Sequence, residues 1–500
     1  MATMAATVLL LALWATRTVN PLRGDTAEYL YFDPSRSIGY PAFLEVVRLT
    51  TGHIALAIPA QMMLLAGSLL LLGWSFYRFS DRPVFSLAFA AALLIQPGTW
   101  FAAAFLMSEA LSTAVVAFWC AQLLRMIRAP SLRSNGLLAV IAALATMVRP
   151  SLIGLSFGTA LFVLVGPVSQ RGKSLLLVGA ALVVAWAATP VAQLLVHGSA
   201  TTTSPLARGV LQHTLYCDPH RLANDPDSLF VEQNAAQVRR YIDAAPASMR
   251  EQFRREYSTP LRFGLIIPVL GRRHGLDRRS QVDPYLARVA AERVKANPWC
   301  YAASAVREYA RLATFATDPT TEDARAINGY IGTHPPADVP QVQALPGDER
   351  RAREAVAEVH GKVSGLKPER LRLHVVGSIP LAVLLPFRLL VGGVAILGLL
   401  AIFAVPIRRR VPPALRPVVP VAAALGVAFH ATLAITALVE IGFYRYLVPL
   451  WPIVCTLIAL AFAGLSAKDP QAQDGGGAAR PDHRRGMVDR PSRSYGKPRI

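Results

Sequence analysis

Cysteine is nearly missing from this sequence: four residues in 500, with no Cys-x-x-Cys pair and no His/Cys grouping. A thiolate zinc site or an iron–sulfur cluster, which needs several such ligands at close spacing, is therefore not expected. Charge is in short supply too, at 16% of residues against 53% in the apolar set. That balance rules out a disordered chain, a coiled coil and an ordinary soluble enzyme, because the apolar residues also fall in uninterrupted blocks. Lysine is rarer still, with six residues against 45 arginines. Together with abundant alanine, this suggests a GC-rich, bacterial genome.

Several short connections between the apolar blocks lack acids. Segments 77–83, 125–135, 167–173 and 406–416 carry Arg78, Arg82, Arg125, Arg128, Arg133, Arg171, Lys173, Arg408, Arg409, Arg410 and Arg416, against Asp81 as the single acid. Short cytoplasmic loops of membrane proteins collect arginine and lysine in this way. The net charge of +20 is thereby accounted for, and no nucleic-acid partner is needed to explain it.

What the sequence has in quantity is long hydrophobic runs. Blocks of membrane-spanning length stand near 3–18, 53–76, 84–104, 109–124, 136–149, 151–166, 174–196, 389–407, 417–439 and 446–466. They describe an all-α polytopic membrane protein of about ten transmembrane helices. The first block is short and has no basic n-region, so a signal peptide, a trimmed first helix and a misassigned start are all open. Proline after Arg149 favours two helices across 136–166. With ten spans, alternation puts every basic connection and the tail 467–500 inside; Gly-Gly-Gly and scattered prolines mark that tail as disordered.

The expected organisation is a membrane core over 1–196 with a first exterior loop at 19–52, an exterior loop domain over 197–388, three last spans over 389–466, and the cytoplasmic tail. The segment 197–370 holds 24 Lys/Arg and 20 Asp/Glu and is long enough to fold as a mainly helical domain. Helical patches are expected near 231–257 and 283–315, and an irregular stretch over 318–347. Cys217 and Cys300 fall in it, where an oxidising compartment would permit a bridge; two buried free thiols are the alternative.

Ionisable residues near membrane depth are costly, so their positions inform. Asp25, Glu28, Asp33 and Glu45 lie in the first exterior segment, Glu109 opens the fourth span, and Glu440 ends the ninth. Arg149 closes the fifth span, and Arg388 and Arg445 start the eighth and tenth. The topology puts all of them on the exterior face. Arginine matches phosphate oxygens with a planar fork of donors, and a neighbouring carboxylate can take a proton from an incoming hydroxyl. Group transfer from a lipid phosphate follows. The plain alternative is an interface lined by snorkelling arginines and wet acids.

Along the chain stand Gly24-Asp25 with Tyr29, Gly39-Tyr40-Pro41, Ser108-Glu109, Arg149-Pro150, and Tyr444-Arg445-Tyr446 with Pro449 and Pro452. In their order these motifs resemble the integral-membrane glycosyltransferases of the GT-C superfamily, nearest to the protein mannosyltransferases and the lipid A aminoarabinose transferases. The motifs cover the membrane part and not the long loop.

The resemblance implies a polyprenyl-phosphate sugar donor, a glycan, lipid or protein acceptor, and an active site on the periplasmic side of a bacterial inner membrane. It implies that Asp25 positions or deprotonates the acceptor, that Glu109 is the second acid, and that Arg149 and Arg445 bind the carrier phosphate. Arg388 joins them on topology and Tyr444 stands with them at the lipid phosphate, while Tyr29 and Tyr40 are expected to position the acceptor or donor. Family members often place a second acid directly after the first; here Thr26 stands there and Glu28 follows two residues on. Asp25 and Glu28 are therefore both catalytic candidates, and a divalent metal is left open.

Two rival readings share the composition. One is a transporter of lipid-linked sugars, which calls for ionisable residues at mid-membrane; His430 alone fits, and an interhelical hydrogen bond explains it equally. The other is a non-catalytic membrane scaffold whose exterior loop recruits a partner.

Overall fold

A computed structural model describes residues 26–95, 105–168, 170–198, 206–217, 225–250, 266–314, 345–360, 381–412, 415–439 and 446–465, with the single residues 103, 254 and 333. The apolar block 3–18, Asp25, Tyr444, Arg445 and the basic tail lie outside the described residues.

No strand occurs among the described residues. A short helix α1 (Thr26–Leu30) and a second helix α2 (Gly39–Thr51) lead to α3 (Ala57–Ser80), α4 (Pro83–Ile95), α5 (Ser108–Arg128), α6 (Leu132–Val148), α7 (Gly154–Val165) and α8 (Arg171–His197). The loop domain supplies α9 (Leu206–Thr214), α10 (Pro226–Ala244), α11 (Ile267–Arg273), α12 (Arg279–Ala296), α13 (Pro298–Ala313) and α14 (Pro346–His360). Helices α15 (Leu381–Ala404), α16 (Val419–Val439) and α17 (Trp451–Leu465) complete the bundle.

Five helical stretches are long and apolar enough to cross a membrane: Ile54–Ser80, Ser108–Arg128, Arg171–His197, Leu385–Ala404 and Val419–Val439. Four shorter apolar helices, Pro83–Leu94, Leu132–Val148, Pro150–Val165 and Val448–Ala463, pack among them. The outer surface is apolar along whole helices: Val183, Val184, Trp186 and Leu195 are exposed on α8, and Leu389, Ile396, Leu400 and Phe403 on α15. Such continuous apolar surface belongs against lipid.

Local chemistry sets the helix ends. Ser131 caps α6 by accepting from the Ser134 amide, and α6 stops at Arg149, which is extended before Pro150. Proline disfavours the helical conformation of the residue before it, and the chain restarts as a 3₁₀ turn, Pro150–Ile153, then α7. Helix α7 then lies directly on α16. A Cβ added at Gly158 would stand 2.5 Å from Ala424 O, so glycine permits backbone approach that any side chain would block. At the centre, Trp119 is fully buried and donates to Thr159 Oγ1 at 2.9 Å.

The helix at the expected eighth span differs from the sequence expectation. Helix α15 begins at Leu381, so Arg388 sits two turns inside it instead of at its start. Apolar residues 381–385 are sound helix formers, and an arginine with a long apolar stem does not end a helix near an interface.

The loop domain has its own core, with Leu211, Leu215, Val231, Ile267, Leu270, Val282, Leu286 and Val289 buried together. Two buried arginines brace it. Arg208 makes a two-pronged pair with Asp283 at 2.6 and 2.9 Å, and Arg293 donates to Glu232 and to the carbonyls of Thr214 and Cys217. Cys217 and Cys300 are joined as a disulfide. The patch expected over 283–315 is two helices, split where Asn297 accepts from the Cys300 amide to start α13 at Pro298.

Candidate active site

The two ends of the bundle carry different chemistry. At one end Arg128 reaches Asp81 and Phe79 O, and Arg408 donates to Val165 O; these are the arginine-rich connections. The other end gathers the start of α5, the end of α6, the start of α17 and the segment running from α1 into α2.

Within that second end, hydrogen bonds pin the first segment to the chain before α5. Thr26 Oγ1 donates to Leu106 O at 3.3 Å, and Tyr29 Oη lies 3.1 Å from Ser108 Oγ. Tyr29 and Tyr40 meet edge to face with centroids 5.0 Å apart. Tyr40 is completely buried and donates to Gln61 Oε1 at 2.9 Å, while Gln61 Nε2 donates to the carbonyls of Ala103 and Phe105. Burial, then the fields of Tyr29 and Glu109, push the Tyr40 hydroxyl well above its ordinary pKa. Tyr40 is thus a buried brace between α2 and α3. Gly39 permits the same docking: a Cβ there would stand 2.6 Å from Val148 N.

Glu109, in the first turn of α5, and Arg149, just past α6, come together. Arg149 Nη1 lies 3.6 Å from Glu109 Oε1, with both side chains largely buried. The guanidinium also stacks on the ring of Tyr446, 4.5 Å from its centroid. At 3.6 Å the contact is an ion pair without a hydrogen bond, and Arg149 Nη1 is buried with no hydrogen-bond partner. Arg388 is half-buried with its Nε likewise unpartnered; among the described residues, no ion pair links it to Glu109.

Glu28 is engaged elsewhere. Its carboxylate pairs with Arg36 and, at 2.9 Å, with Arg279 from the loop domain, and Arg279 also reaches Asp348. Asp33 accepts from the Ser35 amide, from Ser280 Oγ and from Arg351 Nη1 at 3.3 Å. Burial alone would raise the Asp33 pKa, but the Ser35 and Ser280 hydrogen bonds and the charge of Arg208 outweigh it and hold the carboxyl below its usual range. Asp348 moves the other way, raised by burial against the opposing pull of Arg279. Sequence reasoning did not find Arg279, Ser280 or Arg351, because a loop of mixed charge gives no periodic sign of which arginine will meet a residue some 250 positions away.

Glu28, Asp33 and Glu109 each face an arginine, and among the described residues no group of three or more His, Cys, Asp or Glu could hold a metal ion. Comparison with family models, with curated proteins and with solved structures finds no match for the chain.

Proposed function

We propose that the chain is a membrane glycosyltransferase that moves a sugar from a polyprenyl-phosphate donor to an acceptor hydroxyl. The reaction belongs at the bundle end that holds Glu109 and Arg149, facing the periplasm of a bacterial inner membrane. The observation that carries the reading is Arg149 Nη1, a cationic donor held buried at that end with no hydrogen-bond partner. Leaving such a group unsatisfied costs about 1–3 kcal/mol or more, and a phosphate oxygen entering beside Tyr446 would satisfy it.

In this reading Asp25 takes the proton of the acceptor hydroxyl as its oxygen bonds to the anomeric carbon. The bond from that carbon to the carrier phosphate breaks, and its electron pair leaves with the polyprenyl phosphate. Arg149, Arg445 and Arg388 offset the charge that develops on the leaving oxygen. Glu109 orients Arg149. Glu28, paired with Arg36 and Arg279, shapes the segment that carries Asp25, and the general-base role falls to Asp25. The scaffold reading calls for a loop that stands apart from the bundle; bonds from Arg279, Ser280 and Arg351 to the first segment favour a loop that works with the site.

The test is donor handling by Arg149→Lys and Arg149→Gln in nanodiscs. Lysine retains charge but not the fork, so it should weaken donor binding and slow turnover, and glutamine more so. Wild-type donor binding in Arg149→Gln would overturn the phosphate role.

A further inference from the structure

The loop domain meets the bundle along α13, and two hydrogen bonds fix its depth. Near the start of α13, Tyr301 Oη donates to Leu438 O in the last turn of α16 at 2.7 Å. Eight residues further along α13, Tyr309 Oη lies 2.6 Å from Nδ1 of His430, eight residues back along α16. The two helices therefore run antiparallel, and α13 descends about 12 Å beside α16 at a rise of ~1.5 Å per residue. Half of a hydrocarbon core is about 15 Å, so the inner end of α13 reaches the middle of α16.

His430 locks this arrangement. Its Nε2 lies 2.9 Å from Ala395 O on α15, and a carbonyl only accepts, so the ring proton is on Nε2 and Nδ1 accepts from the Tyr309 hydroxyl. One neutral imidazole thus ties α13, α15 and α16 together. Leu312 and Ala313 continue the attachment by joining the bundle's core.

The opposite face of α13 is uncovered and apolar. Trp299 is 84% exposed and Val306 65% exposed, and Ala303 and Ala310 are exposed between and below them. The four recur at helical spacing as one stripe, and α15, which His430 ties to the same place, also exposes Leu389, Ile396 and Leu400. Arg307 and Arg311 stand on its flank, and Glu308 turns inward, where Arg311 pairs with it at 3.1 Å. Helical side chains lean toward the N-terminus, which is the shallow end of α13, so the exposed Arg307 guanidinium reaches toward the headgroups while Arg311 stays paired with Glu308. Trp299 occupies that shallow end, where aromatic side chains gather at membrane interfaces.

The geometry points to α13 as a membrane-embedded helix of the loop domain, with Ala303, Val306 and Ala310 against lipid acyl chains, Trp299 at the interface and Arg307 snorkelling toward it. The inference rests on the reading that α16 crosses the membrane.

The test uses the full chain in proteoliposomes, with a nitroxide label on a cysteine introduced at Ala303, Val306 or Ala310. Cys120 and Cys455 are buried and the other two cysteines are bonded to each other, so the label reports the new site. Collision with oxygen, which concentrates in lipid, is compared with collision with a water-soluble nickel chelate. Val184 on α8 serves as the lipid control and Lys295 on α12 as the water control. All three α13 positions should give oxygen-to-nickel ratios several-fold above Lys295, rising from 303 to 310. Nickel access like that of Lys295 would overturn the proposal, as would exclusion of both reagents, which means protein covers the stripe. If Val184 also reads as aqueous, the membrane reading itself falls; if Val184 reads as lipid and α13 does not, only the embedding of α13 falls.

Discussion

Arg149 approaches Glu109 to 3.6 Å, close enough for attraction and too far for a hydrogen bond. Both side chains are largely removed from water, so their charges act on each other through a medium that screens weakly. Arg149→Met and Glu109→Gln should therefore be non-additive, with a coupling energy of about 1–3 kcal/mol in a double-mutant cycle. Thermal unfolding in detergent measures it. Additive effects would mean that the pair is a neighbourhood and not an interaction.

The loop domain is latched to the first segment through Arg279 with Glu28 and Arg351 with Asp33. The double variant Arg279→Ala/Arg351→Ala should raise amide exchange in α1 and α12 and slow turnover, with the span helices unaffected. Unchanged exchange in α1 would show that the latch does not hold that segment.

Asp33 titrates below its ordinary range, which fixes the sign of its pH effect. A carboxyl with a lowered folded pKa stabilises the fold fully above the unfolded value of about 3.9, and the benefit is lost as pH falls through the lower folded value. Asp348, whose pKa is raised, acts oppositely and favours the fold as pH falls through its raised value. Asp33→Asn should therefore be less stable than wild type near neutrality and converge with it in acid. Parallel stability curves down to the most acidic conditions would contradict this.

The Cys217–Cys300 bridge closes a loop of 83 residues in sequence separation and ties the shallow end of α13 to the end of α9. On loop entropy its removal should cost about 4.5 kcal/mol. Cys217→Ser/Cys300→Ser should lower the melting temperature and expose the loop domain to protease before the bundle. Unfolding of the bundle first would show that the bridge has wider reach.

Gly39 meets the end of α6 at backbone distance. Gly39→Val should force α2 away, costing about 1–3 kcal/mol as an overpacked contact, and should lower turnover by displacing the segment next to Asp25. Full activity in this variant would separate α2 docking from catalysis.

The apolar helices were legible because hydrophobic length is local: the described part of each block from 53–76 to 446–466 lies mainly in an apolar helix, five of them long enough to cross a membrane, and the break at Arg149-Pro150 follows from proline sterics. That Glu109 and Arg149 share one end of the bundle was legible through alternation of helix direction, whereas the Tyr446 ring beside Arg149 was not. Nor were three other features. The start of α15 was misjudged because Arg388 looked like a boundary. The depth of α13 was hidden because helix Pro298–Ala313 is amphipathic and its charged flank made it read as part of a water-exposed domain. The arginine latch joins residues 251 and 318 positions apart, and no local pattern specifies such partners.

The central claim is sugar transfer from a lipid phosphate, and release of free polyprenyl phosphate measures it most directly. Wild-type protein and Asp25→Asn in nanodiscs would be incubated with a panel of polyprenyl-phosphate sugars and an acceptor mixture. The account predicts release by the wild type with at least one donor, and a loss of about 10²- to 10⁴-fold in the variant, the range of one positioned base, with donor binding retained. No release from any donor by folded wild-type protein, or equal release by both, would contradict it.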